Sequence, residues 1–115
     1  MRLTALAAGL VLAALPAAAS EERPLLGPGI AEVLTGAEVI GEDTRQRFYE
    51  SGRTLYNDGR DSWGYWRVEG DKYCSQWPPS ESWTCYDMRA WEEGARVWVA
   101  WIGPNGTRYD GYVER

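Results

Sequence analysis

From Glu38 onward, short runs rich in Val, Thr, Tyr and Trp alternate with Gly, Asp and Asn at intervals of roughly 8 to 12 residues, the spacing of an antiparallel β domain. The pattern predicts strands over Glu38–Gly41, Thr44–Glu50, Arg53–Asn57, Ser62–Val68, Lys72–Trp77, Trp83–Trp91, Arg96–Ile102 and Thr107–Val113. Gly103-Pro104-Asn105-Gly106 is the clearest hairpin signal, because Asn-Gly offers the positive φ angles that a tight turn needs. Arg96–Ile102 carries apolar groups on both faces, the mark of a strand covered on both sides. In Gly64–Val68, Trp66 and Val68 share one face while Tyr65 and Arg67 share the other. Trp83, Cys85, Asp87, Arg89 and Trp91 fall together on one face of their strand.

Ahead of these runs the texture differs. Ser20 to Gly29 is polar and punctuated by Pro24, Gly27, Pro28 and Gly29, which predicts a flexible lead-in over 20–29. Ile30–Leu34 predicts one or two helical turns, with Pro28 before and Gly36 after in the order helix ends favour. The fold class expected is all-β: an antiparallel meander of seven or eight strands forming a small barrel or a strongly curved sheet, with one short N-terminal helix. Its core must use Trp, Tyr and Val where a larger domain would use Leu and Ile, since few Leu remain beyond the leader.

That leader changes the compartment. Met1-Arg2 is positive, Leu3 to Leu15 is interrupted only by Thr4 and Gly9, and Pro16-Ala17-Ala18-Ala19 presents small residues. These three regions predict a signal peptide over 1–19 with cleavage before Ser20. The apolar run has no polar face and is too short to span a bilayer. No cysteine lies near the cleavage position to take a lipid, so no membrane anchor is expected after cleavage. Residues 30–115 then form a single disulfide-stapled domain, periplasmic or secreted, and expected to be monomeric.

Net charge is −5 and the pI about 4.7. An acidic balance argues against nucleic acid and anionic membranes, which reward clustered Lys and Arg. Cys74 and Cys85, the only two cysteines, are expected to pair. Closing so short a loop is worth about 3 kcal/mol in the chain-entropy model. With no His in the chain a Ser-His or Cys-His pair is excluded, a metal site is poor because two Cys would need carboxylates to complete the shell, and neither a metal nor a cofactor is expected. Asp58/Asp61, Glu69/Asp71 and Glu92/Glu93 are the available acid pairs, but each falls at a predicted turn. The chain is therefore not expected to be an enzyme.

The remaining chemistry is aromatic. All seven Trp and all seven Tyr lie beyond the leader. Trp77 and Trp83 flank Pro78-Pro79 within the disulfide loop, so Trp77, Pro79 and Trp83 are the candidate ligand-binding residues. Rigid aromatic faces beside small hydroxyls suit stacking on a sugar or docking a peptide.

The residues Gly64-Tyr65-Trp66, Gly70-Asp71-Lys72-Tyr73-Cys74, Trp77 and Cys85-Tyr86 carry a resemblance. The segment from about Gly52 to Tyr86 resembles the DUF995-like family of secreted α-proteobacterial proteins. That resemblance implies an extracytoplasmic location and brings no activity or catalytic residues. The expected function is a non-enzymatic binding or interaction domain of the cell envelope, with a glycan or a protein as partner. The alternative is an inhibitor of a cationic envelope hydrolase, since Ser51-Gly52 with Tyr56 resembles the loop motif of lysozyme inhibitors.

Overall fold

The computed structural model describes residues 19–115, so the expected signal peptide, apart from Ala19, lies outside the described residues. Nine strands and one helix follow in order: β1 (Arg23–Leu25), α1 (Gly27–Leu34), β2 (Glu38–Ile40), β3 (Arg45–Phe48), β4 (Arg53–Asn57), β5 (Asp61–Glu69), β6 (Lys72–Gln76), β7 (Trp83–Glu93), β8 (Arg96–Ile102) and β9 (Arg108–Glu114). Every pairing is antiparallel. The order β7-β6-β5-β4-β3-β2-β9-β8, closed by β7–β8, makes an eight-stranded barrel. Of the two architectures expected, the structure is the barrel.

β1 is the strand that the sequence pattern does not announce. β6 pairs with β7 only from Trp83 to Tyr86. β1 takes up pairing further along β7, with Arg23 opposite Ala90 and Leu25 opposite Met88. The segment 20–29, expected as a flexible lead-in, thus holds β1 and the first turn of α1. Pro24 is tolerated because β1 has a partner on one side only. Leu25 is buried, and Arg23 pairs with Glu92 at 2.6 Å.

α1 closes one end of the barrel. Pro28 stands in its first turn, where a missing N–H costs nothing. Gly27 is required there: a Cβ would lie 2.2 Å from the Gly70 carbonyl oxygen, while the Gly27 N–H donates to Asp71 Oδ1 at 2.8 Å. Ile30 and Leu34, one turn apart, face inward and are fully buried. At the other end of α1, the Arg115 guanidinium donates to the carbonyls of Glu32, Val33 and Thr35, placing a cation where the helix dipole favours one.

The core sits at this closed end. Phe48, fully buried, stacks on Trp101 at 5.9 Å and meets the rings of Trp66 and Tyr73 edge-on at 5.5 and 5.9 Å. Trp66 Nε1–H donates to the Tyr49 carbonyl at 2.9 Å, so the large ring is buried without an orphaned donor. Met88, Ala90 and Val99 supply the opposite wall. The expected alternation in β5 holds: Trp66 is buried while Tyr65 and Arg67 are exposed.

Outward-facing aromatics explain why β8 reads as apolar on both faces. Trp98 of β8 stacks on Trp91 at 6.0 Å and meets Tyr112 at 5.4 Å, with Arg96 over the Tyr112 ring. Cys74 and Cys85 pair directly across β6 and β7, as expected, with their Cα atoms 4.0 Å apart. At Gly103–Gly106 only Gly106 has positive φ, and its N–H donates to the Gly103 carbonyl. Pro104 fixes φ near −65° at the first central position, so the turn places its left-handed residue last.

Candidate functional site

Strand direction separates two ends. α1 and the turns at Tyr49–Gly52, Gly70–Asp71 and Gly94–Ala95 lie at the closed end. The connections at Gly41–Thr44, Asp58–Arg60, Trp77–Ser82 and Gly103–Thr107 lie at the other end, where side chains do not fill the barrel. A hollow of about 1370 Å³ occupies this end and runs over the rim between β2 and β9 onto the outer face.

Strand register decides what lines it. Cys74 and Cys85 lie opposite one another and point outward, so their neighbours Tyr73, Ser75, Thr84 and Tyr86 point inward. Trp77 continues the inward row of β6. Its indole lies flat against the wall at Gly64, where a Cβ would come within 2.6 Å of Trp77 Cε3 and 2.7 Å of the Gln76 carbonyl. Trp77 Nε1–H donates to Ser75 Oγ at 3.2 Å, and its ring meets Tyr56 at 6.0 Å. Tyr109, 57% exposed, stands at the lip.

The inner end is polar and uncharged. Gln46 Nε2 donates to Thr54 Oγ1 at 3.1 Å and to the Tyr73 hydroxyl oxygen at 3.3 Å. Burial pushes the Tyr73 hydroxyl far above the usual phenol range, opposed by hydrogen bonds with Gln46 and Ser75. Burial also raises Tyr56, helped by the nearby Asp58 and Tyr109, and raises Tyr86, helped by Tyr109. All three are neutral hydroxyls at physiological pH. Trp101 borders the hollow where it meets the core, and its Nε1–H is the one buried side-chain nitrogen or oxygen among the described residues with no hydrogen-bond partner.

Charge is confined to the rim. Glu42, Asp58 and Asp110 are exposed there. Among the residues lining the hollow the cation is Arg108, and it is held on both sides: it binds Asp110 at 2.8 Å through Nε and Glu22 through its other nitrogens, while Arg60 stands exposed in the Asp58–Arg60 connection at the same end. Those carboxylates raise the affinity of Arg108 for its proton further.

The three residues expected to form a site are divided. Trp77 lines the hollow beside Pro78. Trp83 points to the outer face, under the Arg67 guanidinium at 3.8 Å. Pro79, joined to Pro78 by a cis peptide bond, is exposed in the connection between them. The hydrolase-inhibitor motif is likewise divided, with Ser51-Gly52 at the closed end and Tyr56 lining the open one. Tyr109 and Trp101 were not singled out by sequence pattern, and Tyr56 and Tyr86 entered only as parts of motifs, not as candidate ligand-binding residues. The signal for Tyr86 was nonetheless present, because pairing Cys74 with Cys85 fixes which neighbours share the inner face.

The acid pairs do not converge. Asp61 accepts from Asn57, Asp71 from the Gly27 N–H, and Glu92 from Arg23 and Ser20, while Glu69 pairs with Arg67. Glu69 also approaches Cys74 and Cys85, but disulfide sulfurs are not metal-binding thiolates. Among the described residues no helix is long and apolar enough to cross a membrane. Comparison with family models, with curated proteins and with solved structures finds no match.

Proposed function

We propose that this domain is a non-enzymatic binding protein of the cell envelope, periplasmic or secreted, whose ligand enters the open end of the barrel. One observation carries the reading: the core fills the helix end, while the other end stays open and is walled by Tyr56, Trp77, Tyr86 and Tyr109. A barrel built only for stability would fill both ends, since eight strands enclose a space that side chains can occupy. Concave, largely aromatic walls with a few hydroxyls are the usual make-up of a small-molecule site. The disulfide suits an oxidising compartment. The DUF995-like resemblance is consistent with this reading, because Gly64, Trp66, Cys74, Trp77 and Cys85 build the β5–β6–β7 wall and Gly64 makes room for Trp77.

The test is saturable binding of the neutral dye N-phenyl-1-naphthylamine, read by energy transfer from tryptophan in the oxidised protein over residues 20–115. One dye should bind per chain, and Ser62→Phe, which fills the hollow from β5, should abolish the signal. Binding that Ser62→Phe and Trp77→Ala both leave unchanged would place the dye elsewhere and end the reading. Quenching by acrylamide, repeated with peptidoglycan fragments, tests an envelope glycan as the natural ligand.

A further inference from the structure

The barrel wall has a notch at its open end. In the β8–β9 hairpin the Gly103 N–H donates to the Thr107 carbonyl at 2.8 Å, and the antiparallel ladder alternates from that pair. Tyr109 and Gly111 therefore turn their backbone groups towards β8, whereas Arg108, Asp110 and Tyr112 turn theirs towards β2. Ile40, opposite Tyr112, is the last residue of β2 to meet them. Beyond it the chain turns away: the Gly41 N–H donates to the Thr44 carbonyl at 3.0 Å, closing a tight turn into β3. Among the described residues no strand pairs with Arg108 and Asp110 on this side. Free N–H and C=O groups along a strand edge are a template for another extended chain.

The side chains around the notch favour one kind of chain. The hollow passes through it, with Tyr56 and Tyr109 on the inner side and Trp98 and Tyr112 on the outer side. A strand laid along β9 would send the residue opposite Tyr109 into the hollow and its two neighbours outwards, beside Arg108 and Asp110. Glu42 and Asp43 stand exposed in the turn that forms the far wall, and neither makes an ion pair among the described residues. The cations close by are engaged: Arg108 holds Asp110 and Glu22, and Arg45, next to the turn, holds Glu38. Arg60 is exposed on the same rim, but it stands further round, in the β4–β5 connection, and does not line the hollow.

We propose that the notch takes an extended cationic peptide of a partner protein, which adds as a strand to the free edge of β9 with apolar side chains in the hollow and Lys or Arg outwards, beside Glu42 and Asp43. The inference rests on the barrel-mouth reading above and specifies its ligand. Backbone pairing with Arg108 and Asp110 supplies affinity, and the alternate side chains supply choice.

The probe is the acetylated, amidated peptide Lys-Phe-Lys-Val-Lys, followed by NMR of the 15N-labelled oxidised protein. In the free protein the amides of Arg108 and Asp110 should exchange with solvent about a hundredfold faster than those of Tyr109 and Gly111, which face β8. Saturating peptide should slow the first pair about tenfold and leave the second pair unchanged. The counterpart Glu-Phe-Glu-Val-Glu should bind about tenfold more weakly. N-methylation of the central Lys, whose N–H meets β9, should cost about tenfold in affinity, whereas N-methylation of Phe, whose N–H points away, should cost little. Four results would overturn strand addition: slow exchange of Arg108 and Asp110 in the free protein, no binding of the Lys peptide, equal affinity for the Lys and Glu peptides, or equal effects of the two N-methyl groups. Dye binding that Ser62→Phe abolishes would then still keep the hollow as a site. Loss of dye binding as well would overturn the barrel-mouth reading with it.

Discussion

Gly64→Ala tests whether the mouth is built as described. Gly64 lies on β5 facing the barrel interior, where a Cβ would meet Trp77 Cε3 at 2.6 Å, Trp77 Cζ3 at 2.9 Å and the Gln76 carbonyl oxygen at 2.7 Å. Carbon atoms rest at about 3.5–4.0 Å, so the indole must retreat by about 1 Å into the hollow. The carbonyl belongs to β6, held opposite Tyr65 in the ladder, and it yields only if the strands part. Overpacking of this kind costs about 1–3 kcal/mol. Gly64 has no positive φ, so alanine is not strained there and recovers about 0.4–1 kcal/mol through the unfolded chain. The net expectation is a loss of about 1–2 kcal/mol, or a Tm lower by about 5–15 °C for a domain of this length. Urea unfolding, with near-UV circular dichroism as a second probe of the Trp77 environment, measures both consequences. In the double variant with Trp77→Ala, two of the three close contacts disappear, so the two losses should sum to more than the observed one by about 1 kcal/mol. A Gly64→Ala protein within 0.5 kcal/mol of the parent and with an unchanged near-UV spectrum would refute the placement of Trp77 against β5.

Three further outcomes follow from the same coordinates. Tyr73, Tyr56 and Tyr86 all have hydroxyl pKa values raised on folding, so their contribution is intact below the unfolded phenol value near 10 and is lost as pH rises beyond it. Stability should therefore fall from about pH 10 upward, by about 1.4 kcal/mol per pH unit for Tyr73 alone, and Tyr73→Phe should flatten that fall in urea titrations. At the acid end, Arg108 and Arg23 hold the carboxyls of Glu22 and Glu92 below the usual range, so stability present at neutral pH is lost as pH drops through those lowered values. Hydrogen exchange at Arg23 and Leu25 should accelerate there before exchange in β5 does. Replacing Cys74 and Cys85 by serine should cost about 3 kcal/mol in denaturant midpoints, the chain-entropy value for so short a loop.

How much of this was legible depended on the length of each signal. Eight of the nine strands follow from period-two runs bounded by Gly, Asp and Asn; the ends coincide at β4 and β8 and are displaced by a residue or two at β2, β3, β5, β6, β7 and β9. β1 was hidden because three residues containing a proline cannot show a period, and its stability comes from β7, more than sixty residues away, with which Arg23 and Glu92 pair. Helix α1 was visible from Ile30 and Leu34, but its start at Gly27 depends on the Gly70 carbonyl and Asp71, which no local pattern reveals. The site was half legible. Proximity in sequence suggested Trp77 and Trp83 together, whereas the pleat sends one inward and the other outward, six positions and a loop apart. Tyr56 and Tyr109 reach the mouth from β4 and β9, a convergence that depends on barrel closure through β2 and β9.

The placement of β1 has a consequence for how the chain reaches this structure. Arg23 and Glu92 are separated by 69 positions, so the first strand to be synthesised waits for nearly the last before it has an edge to occupy. Until β7 arrives, Arg23–Leu25 has no strand to pair with, and β7 offers any copy of that strand the same vacancy beyond the end of β6. Two chains folding close together can trade these segments at little cost, because the exchanged contacts are identical to those made within one chain. Refolding at rising concentration, followed by size-exclusion chromatography, is therefore the condition under which strand-exchanged pairs are expected to form.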